Sequence, residues 1–169
     1  EFGSLIFGII IGVILALMKI SKNKLLGTLS TVYIEFIRGT PLLVQLYIIY
    51  VGLPFDISKL TAGIVALSLN SAAYVAEIIR SGIEGVDKGQ TEAARSLGMS
   101  HSMALRHIVI PQAFKSILPV LGNEFIAIIK ESSIISVIGA AELMYNVNIV
   151  RAATYSPIEP LAIAAILYF

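Results

Sequence analysis

Two groups of residues in this 169-residue chain have types and spacing suited to chemistry. The first is a scatter of charged and amide side chains set inside apolar runs: Gln45, Asn70, Glu77, Asn123 and Glu124. Ionisable groups at membrane depth are costly to keep and mark functional sites by default. Glu77 stands three residues before Arg80, beside the small residues Ser71, Ala72, Ala73 and Ala76, and Asn70 lies two turns earlier on a similar face. Lys130 and Glu131 end the run that Asn123 and Glu124 interrupt. A zwitterion needs a carboxylate for its ammonium and donors for its own carboxylate. Glu77 or Glu124 can supply the first, and together the five residues can line a polar path through the apolar runs. Each also has a plainer use. Glu77 and Arg80 can lock helices as an ion pair, Gln45 and Asn70 can bond helix to helix, and Lys130 and Glu131 can snorkel to a span end.

The second group is contiguous. Glu92 to Pro111, EAARSLGMSHSMALRHIVIP, is a charged insert between two long apolar runs. Its signals predict a short helix capped by Thr91, opened by the turn at Gly89 and stopped by a left-handed Gly98. Glu92 in the first turn suits the helix dipole and shares a face with Arg95. Ala93 and Ala94 keep this helix thin, so that a partner backbone can approach. A second helix from Ser100 to about Ile108 turns back towards the membrane, and Pro111 closes the unit. A chain that only had to reverse direction would use a shorter loop, so the insert reads as a rigid projection for another protein to grip.

The elements around these groups are membrane spans. The chain is 57% hydrophobic and 14% charged, with a mean hydropathy of +0.88, against roughly 45–50% apolar in a soluble domain. The spans read as Leu5–Ile20, a segment within Leu25–Val51, Leu60 to about Gly82, Pro111–Lys130, and a last one from near Ile158. The second is broken at Arg38-Gly39-Thr40-Pro41, because proline lacks the amide donor and disfavours helix just before it. The expectation there is an interfacial helix over Leu26–Ile37 and a membrane stretch over Pro41–Val51. Gly52–Lys59 reads as a loop, Ile134–Gly139 as a re-entrant or interfacial piece, and Ala140–Arg151 as a short helix. Lys19, Lys22 and Lys24, and later Arg80, Lys88, Arg95 and Arg106, mark the first and third connections as cytoplasmic. The expected organisation is a single transmembrane domain over 1–169, cut at both ends, with residues 1–4 a possible cloning remnant and 84–110 the cytoplasmic loop.

Several chemistries are excluded. There is no cysteine, hence no disulfide, thiol nucleophile or thiolate metal site. His101 and His107 both lie in the insert with no carboxylate at metal-ligand spacing. No catalytic or metal residue is therefore assigned. A net charge of +1 without a basic run gives no footprint for nucleic acid.

The spacing of the insert carries a resemblance. Glu92-Ala93-Ala94, Gly98, then Ile108, Ile110 and Pro111 resemble the signature loop of ABC importer permeases, with Ile110 where leucine is usual. IRGTPLLVQLYIIY (37–50), LNSAAYVAEIIRSGIEGV (69–86), KGQTEAARSLGMS (88–100), PQAFKSILPVLGNEF (111–125) and IKESSIISVIG (129–139) are similar to the polar amino acid branch. The resemblance implies an all-α membrane protein of the multi-span type I importer fold, with a coupling helix between spans three and four. It implies that Glu92, Ala93, Ala94 and Gly98 contact a separate ATPase, with Gly89, Arg95 and Pro111 shaping the contact. ATP and Mg would be bound by that partner and no cofactor by this chain, which has no Walker A loop. The other implied partners are a second permease copy or paralogue, an extracytoplasmic amino acid-binding protein, the amino acid itself and membrane lipid. The implied location is a bacterial-type cytoplasmic membrane. The alternatives are an ion-coupled secondary amino acid transporter, which also uses broken helices and buried carboxylates, and a non-transporting scaffold.

Overall fold

One long helix organises the molecule. In the computed structural model, which describes residues 2–169, α4 runs from Lys59 to Glu84 and touches every major element around it. Its sequence explains why. Ala62, Gly63, Ala66, Ala72, Ala73 and Ala76 turn small surfaces outward, and all are buried. In lipid, where the hydrophobic effect between helices is absent, such surfaces allow the close backbone approach that drives association. A Cβ on Gly12 of α1 (Phe2–Ile20) would lie 2.6 Å from Val75. One on Gly63 would lie 2.6 Å from Ile135.

Helix α2 (Lys24–Gly39) is capped by Asn23, whose Oδ1 accepts from the Leu25 amide at 3.0 Å. It meets α3 (Leu42–Gly52) at a bend of 105°. The break falls where the proline predicts it, and the two helices sit within about two residues of their expected bounds. Leu15 and Ala16 of α1, Ile34 and Ile37 of α2 and the alanines of α4 form one core. A second core, further along α4, gathers Leu46 of α3 with Ile135 and Ile138 of a tight 3-10 segment, Ser132–Ile138. The expected re-entrant piece is therefore packed protein, ended by Gly139 at φ 75°.

Beyond α4 come α5 (Lys88–Ser96), the single turn α6 (His101–Ala104) and α7 (Ile110–Glu131). Between α6 and α7 the helix widens over Leu105–Val109, and the Ile110 amide reaches back to the Leu105 carbonyl. Pro111 does not close the insert as expected. It occupies the first turn of α7 in a chain that stays helical from His101. The widened turn before it accommodates a ring that would otherwise press on the carbonyl four residues back. Helices α8 (Leu143–Thr154) and α9 (Glu159–Tyr168) follow, joined by the Tyr168 hydroxyl donating to Glu142 at 3.3 Å.

By length and apolar composition α1 and α4 qualify as membrane crossings, and the α2–α3 pair adds a third where its two helices count as one broken span. Helix α7 has 22 residues, enough for about 33 Å. Gln112, Lys115, Asn123, Glu124 and Lys130 interrupt its apolar surface. The Lys19 ammonium at the end of α1 meets Glu77 near the end of α4 at 3.2 Å. Those helices thus run parallel, with their cationic ends together as the orientation argument requires.

Candidate functional site

The contiguous insert folds as an exposed projection. Helix α5 starts earlier than the sequence suggests, at Lys88, because Asp87 rather than Thr91 caps it: Asp87 Oδ1 accepts from the Gly89 amide at 2.6 Å. Gly89 is thus a first-turn residue and not the opening turn. At the other end Gly98 adopts φ 87°. Its amide donates to Arg95 at 3.0 Å, and the Met99 amide donates to Ala94 at 3.1 Å. That paired pattern satisfies the last carbonyls of α5 and needs a left-handed residue at its turn. Ser100 then caps α6 through the Met103 amide at 3.2 Å.

The faces of α5 divide its residues. Glu92, Ala93, Arg95 and Leu97 are exposed, Leu97 at 85%, whereas Ala94 is buried. Ala94 therefore seats the helix on the chain behind it and offers no surface to a partner, which corrects its expected place in the contact. The corrected surface is a shallow one of Glu92, Ala93 and Arg95, bordered by the exposed Leu97. It hangs from the adjoining ends of α4 and α7, which are so close that a Cβ on Gly82 would lie 2.2 Å from Ile117.

The scattered polar residues separate into distinct places. Gln45 and Asn70 are both buried and belong to one knot: Asn70 Nδ2 donates to Gln45 Oε1 at 3.1 Å. Gln45 Nε2 donates to the Ile37 carbonyl at 2.8 Å, the Thr40 carbonyl at 3.0 Å and Thr40 Oγ1 at 2.9 Å. Those carbonyls belong to the last turn of α2, which the break leaves without intrahelical donors. Glu77 is held by Lys19 at 3.2 Å and by Arg80 Nε at 3.0 Å, while Arg80 also pairs with Glu84. Glu124 is half-buried at a narrow gap of about 30 Å³ between α1, α4 and α7, beside Ser71, Val75 and Phe125. By the space one water needs, that gap has no room for an amino acid. Asn123 is exposed on α7. The fold thus brings Gln45 and Asn70 together and leaves Glu77 and Glu124 in separate surroundings.

A wider cleft lies elsewhere and was not expressed by any single motif. It encloses about 580 Å³ between the end of α2, the cytoplasmic half of α4 and the start of α7. Arg38, Tyr74, Glu77, Ser81, Asp87 and Gln112 contribute its polar lining. The Arg38 guanidinium stands 5.5 Å from the centre of the Tyr74 ring, within cation–π range. This lining offers a guanidinium for a carboxylate and carboxylates for an ammonium, in a volume within the usual range of small-ligand sites. Tyr74 had no sequence signal beyond its place on α4. Arg38 was visible in the sequence as a charge at the helix break.

Among the described residues no group of three or more His, Cys, Asp or Glu is placed to hold a metal ion. Comparison with known proteins gives one consistent result. Residues 8–169 match the family model of the binding-protein-dependent transport system inner membrane component. The chain is 47% identical over 170 residues to the arginine transport system permease protein ArtQ of Bacillus subtilis (strain 168), covering 98% of this chain and 78% of that one. It is 48% identical, with the same coverage, to the putative glutamine transport system permease protein GlnP of Rickettsia bellii (strain RML369-C). The crystal structure of an amino acid ABC transporter with histidines superposes with a TM-score of 0.95 at 54% identity, covering 99% of this chain and 80% of that one.

Proposed function

As a member of the family of binding-protein-dependent transport system inner membrane components, this chain is a permease subunit of an ABC transporter and not an enzyme, and we propose that it carries polar amino acids inward across a bacterial cytoplasmic membrane. The ATPase of such a transporter is a separate subunit. In this reading it grips α5 through Glu92, Ala93 and Arg95, and its closure moves α4 and α7 together. Gly98, Gly89 and Pro111 set the shape of the projection. ATP and Mg are held by the ATPase. A second permease copy or a close paralogue completes the pathway around a two-fold axis, and an extracytoplasmic binding protein delivers the substrate. The observation that carries the reading is α5 itself: a helix bearing the family's loop signature, exposed on its Glu92–Ala93–Arg95 face and rooted at the joined ends of two long helices.

The substrate's route is placed in the same way. The cleft at Arg38, Tyr74 and Glu77 supports a cytoplasmic section of the pathway. Glu124 and Asn123 on α7 belong to its deeper section, and the Gln45–Asn70 knot holds the α2–α3 bend. The named relatives include arginine and glutamine permeases, so the proposed substrates are cationic or neutral polar amino acids.

The test is uptake by the assembled transporter in vesicles. Labelled arginine or glutamine should accumulate with internal ATP and the binding protein, and ionophores should leave it unchanged. Glu124→Gln should reduce uptake while ATPase subunits still copurify. Uptake that follows an ion gradient without ATP would overturn the transport reading, and full uptake by both Glu124→Gln and Glu77→Gln would overturn the pathway.

A further inference from the structure

A second recess lies at the end of α4 next to the cleft, joined to it through the ion pairs of Glu77 with Lys19 and Arg80, and the transport reading gives its lysines no role. It encloses about 470 Å³ between the end of α1, the first turns of α2 and the end of α4. Lys19, Lys24 and Arg80 line it, with the hydroxyl residues Thr28 and Thr31, Gly27 and one carboxylate, Glu84. Lys22 stands exposed two residues before Lys24. Lys19 and Arg80 are committed to Glu77 and Glu84. Among the described residues neither Lys22 nor Lys24 has a carboxylate within ion-pair distance. Four cations therefore stand against two carboxylates, and the two unneutralised ones lie together at the elbow between α1 and α2.

The surface next to the recess is apolar in a regular way. Leu25, Leu29, Val32 and Phe36 recur at helical spacing on α2 and are 67%, 54%, 62% and 60% exposed. Ile34 and Ile37, on the other side of the same helix, are buried against α1 and α4. Helix α2 is thus apolar on two sides, with its lysines at the N-terminal end. The bend of 105° to α3 turns it out of the direction of the crossing segments. A helix lying in the interfacial plane with cations at the headgroup level has this arrangement, and the positive-inside argument puts it in the leaflet where anionic lipid attracts basic residues.

We propose that this elbow is a binding site for an anionic phospholipid of the cytoplasmic leaflet. The phosphate sits between Lys22 and Lys24, with the Thr28 and Thr31 hydroxyls beside it, and the acyl chains run along the Leu25–Leu29–Val32–Phe36 row. Charge complementarity selects this occupant. A second copy of the chain would bring the same unneutralised lysines to the face, and a purely apolar segment would leave them without partners. The occupied site would brace the α1–α2 elbow against α4 while α4 moves.

The experiment titrates short-chain phosphatidylglycerol into the assembled transporter in detergent and reads bound lipid by native mass spectrometry. Phosphatidylcholine and inorganic phosphate serve as comparison probes. One basic residue near an anionic surface is worth about fivefold in affinity. Lys24→Gln should therefore lose about fivefold, and Lys22→Gln with Lys24→Gln roughly twentyfold or more. Lys130→Gln, at the far end of α7, should bind as the unaltered protein does. Thermal melting of each variant should match the parent, because exposed substitutions leave the fold intact. Equal binding of phosphatidylcholine, no loss in the double variant, or displacement of the lipid by inorganic phosphate at equal concentration would each overturn the proposal. So would absence of bound lipid on the parent, since the face would then be covered by protein.

Discussion

The insert around α5 and the polar knot at Gln45 and Asn70 are built on opposite plans. In the insert the polar side chains face outward, and only Ala94 and a few neighbours are buried. Its shape comes from local devices between Asp87 and Ser100: the Asp87 cap, the left-handed Gly98 and the Ser100 cap. In the knot two amides far apart in the chain are sealed inside, and every bond serves another backbone or side chain. One region leaves its polar groups on the surface. The other uses its chemistry up in holding a bend. Polarity inside a membrane protein is therefore a poor guide to function until the partners of each polar atom are known.

That contrast can be broken by substitution. The largest effect is expected from Ala93→Arg, which places a bulky cation on the exposed face of α5. Copurification of the ATPase and ATP-driven uptake should each fall at least tenfold, while the melting temperature of the permease stays unchanged because the site is exposed. A drop in stability as large as the drop in coupling would show that α5 is structural. Gly98→Val comes next. A β-branched residue resists φ 87°, so the turn into α6 should distort and uptake should fall severalfold, with proteolysis at 96–100 as the direct readout. No atom crowds that glycine, so the effect tests backbone conformation alone.

In the knot the order reverses. Gln45→Leu leaves the Thr40 carbonyl without its donor and the Ile37 carbonyl with only a long bond from the Thr40 hydroxyl, and burying unpaired polar groups costs about 1–3 kcal/mol. Thermal unfolding should register that loss before uptake does. The smallest effect is Asn70→Ala, which removes one bond to Gln45 and should cost about 0.6 kcal/mol by the average for interhelical bonds in membranes. A double-mutant cycle of Asn70 with Gln45 should return a coupling of similar size. An uptake defect in Asn70→Ala with unchanged stability would move this residue from the knot to the pathway.

Much of the architecture was legible because its signals are local. The proline at 41 ends α2, the small residues of α4 announce close packing, and cation placement gives the orientation. The loop signature was legible for the same reason, since Glu92, Ala93 and Gly98 are neighbours in sequence and act as one unit. Two boundaries differ from the sequence expectation where one residue type has two uses. Gly89 reads as an opening turn, yet with Asp87 before it a glycine fits the first turn. Pro111 reads as a stop, yet an early helical position tolerates a missing amide donor. The expected grouping of Gln45, Asn70, Glu77, Asn123 and Glu124 into one path depended on rotation about helix axes, and a chain read in one dimension does not contain that.

What the sequence determined by itself is the membrane environment, the order of the helices and the outward-facing loop. Each follows from composition or from contacts between residues a few positions apart. Only the tertiary structure decided which polar groups neutralise each other. Glu77 finds Lys19 across 58 residues, Asn70 finds Gln45 across 25, and Arg38 comes to rest over Tyr74. In a low-dielectric interior a polar group's role is fixed by its nearest complementary partner, and that partner is chosen by helix packing rather than by position in the chain.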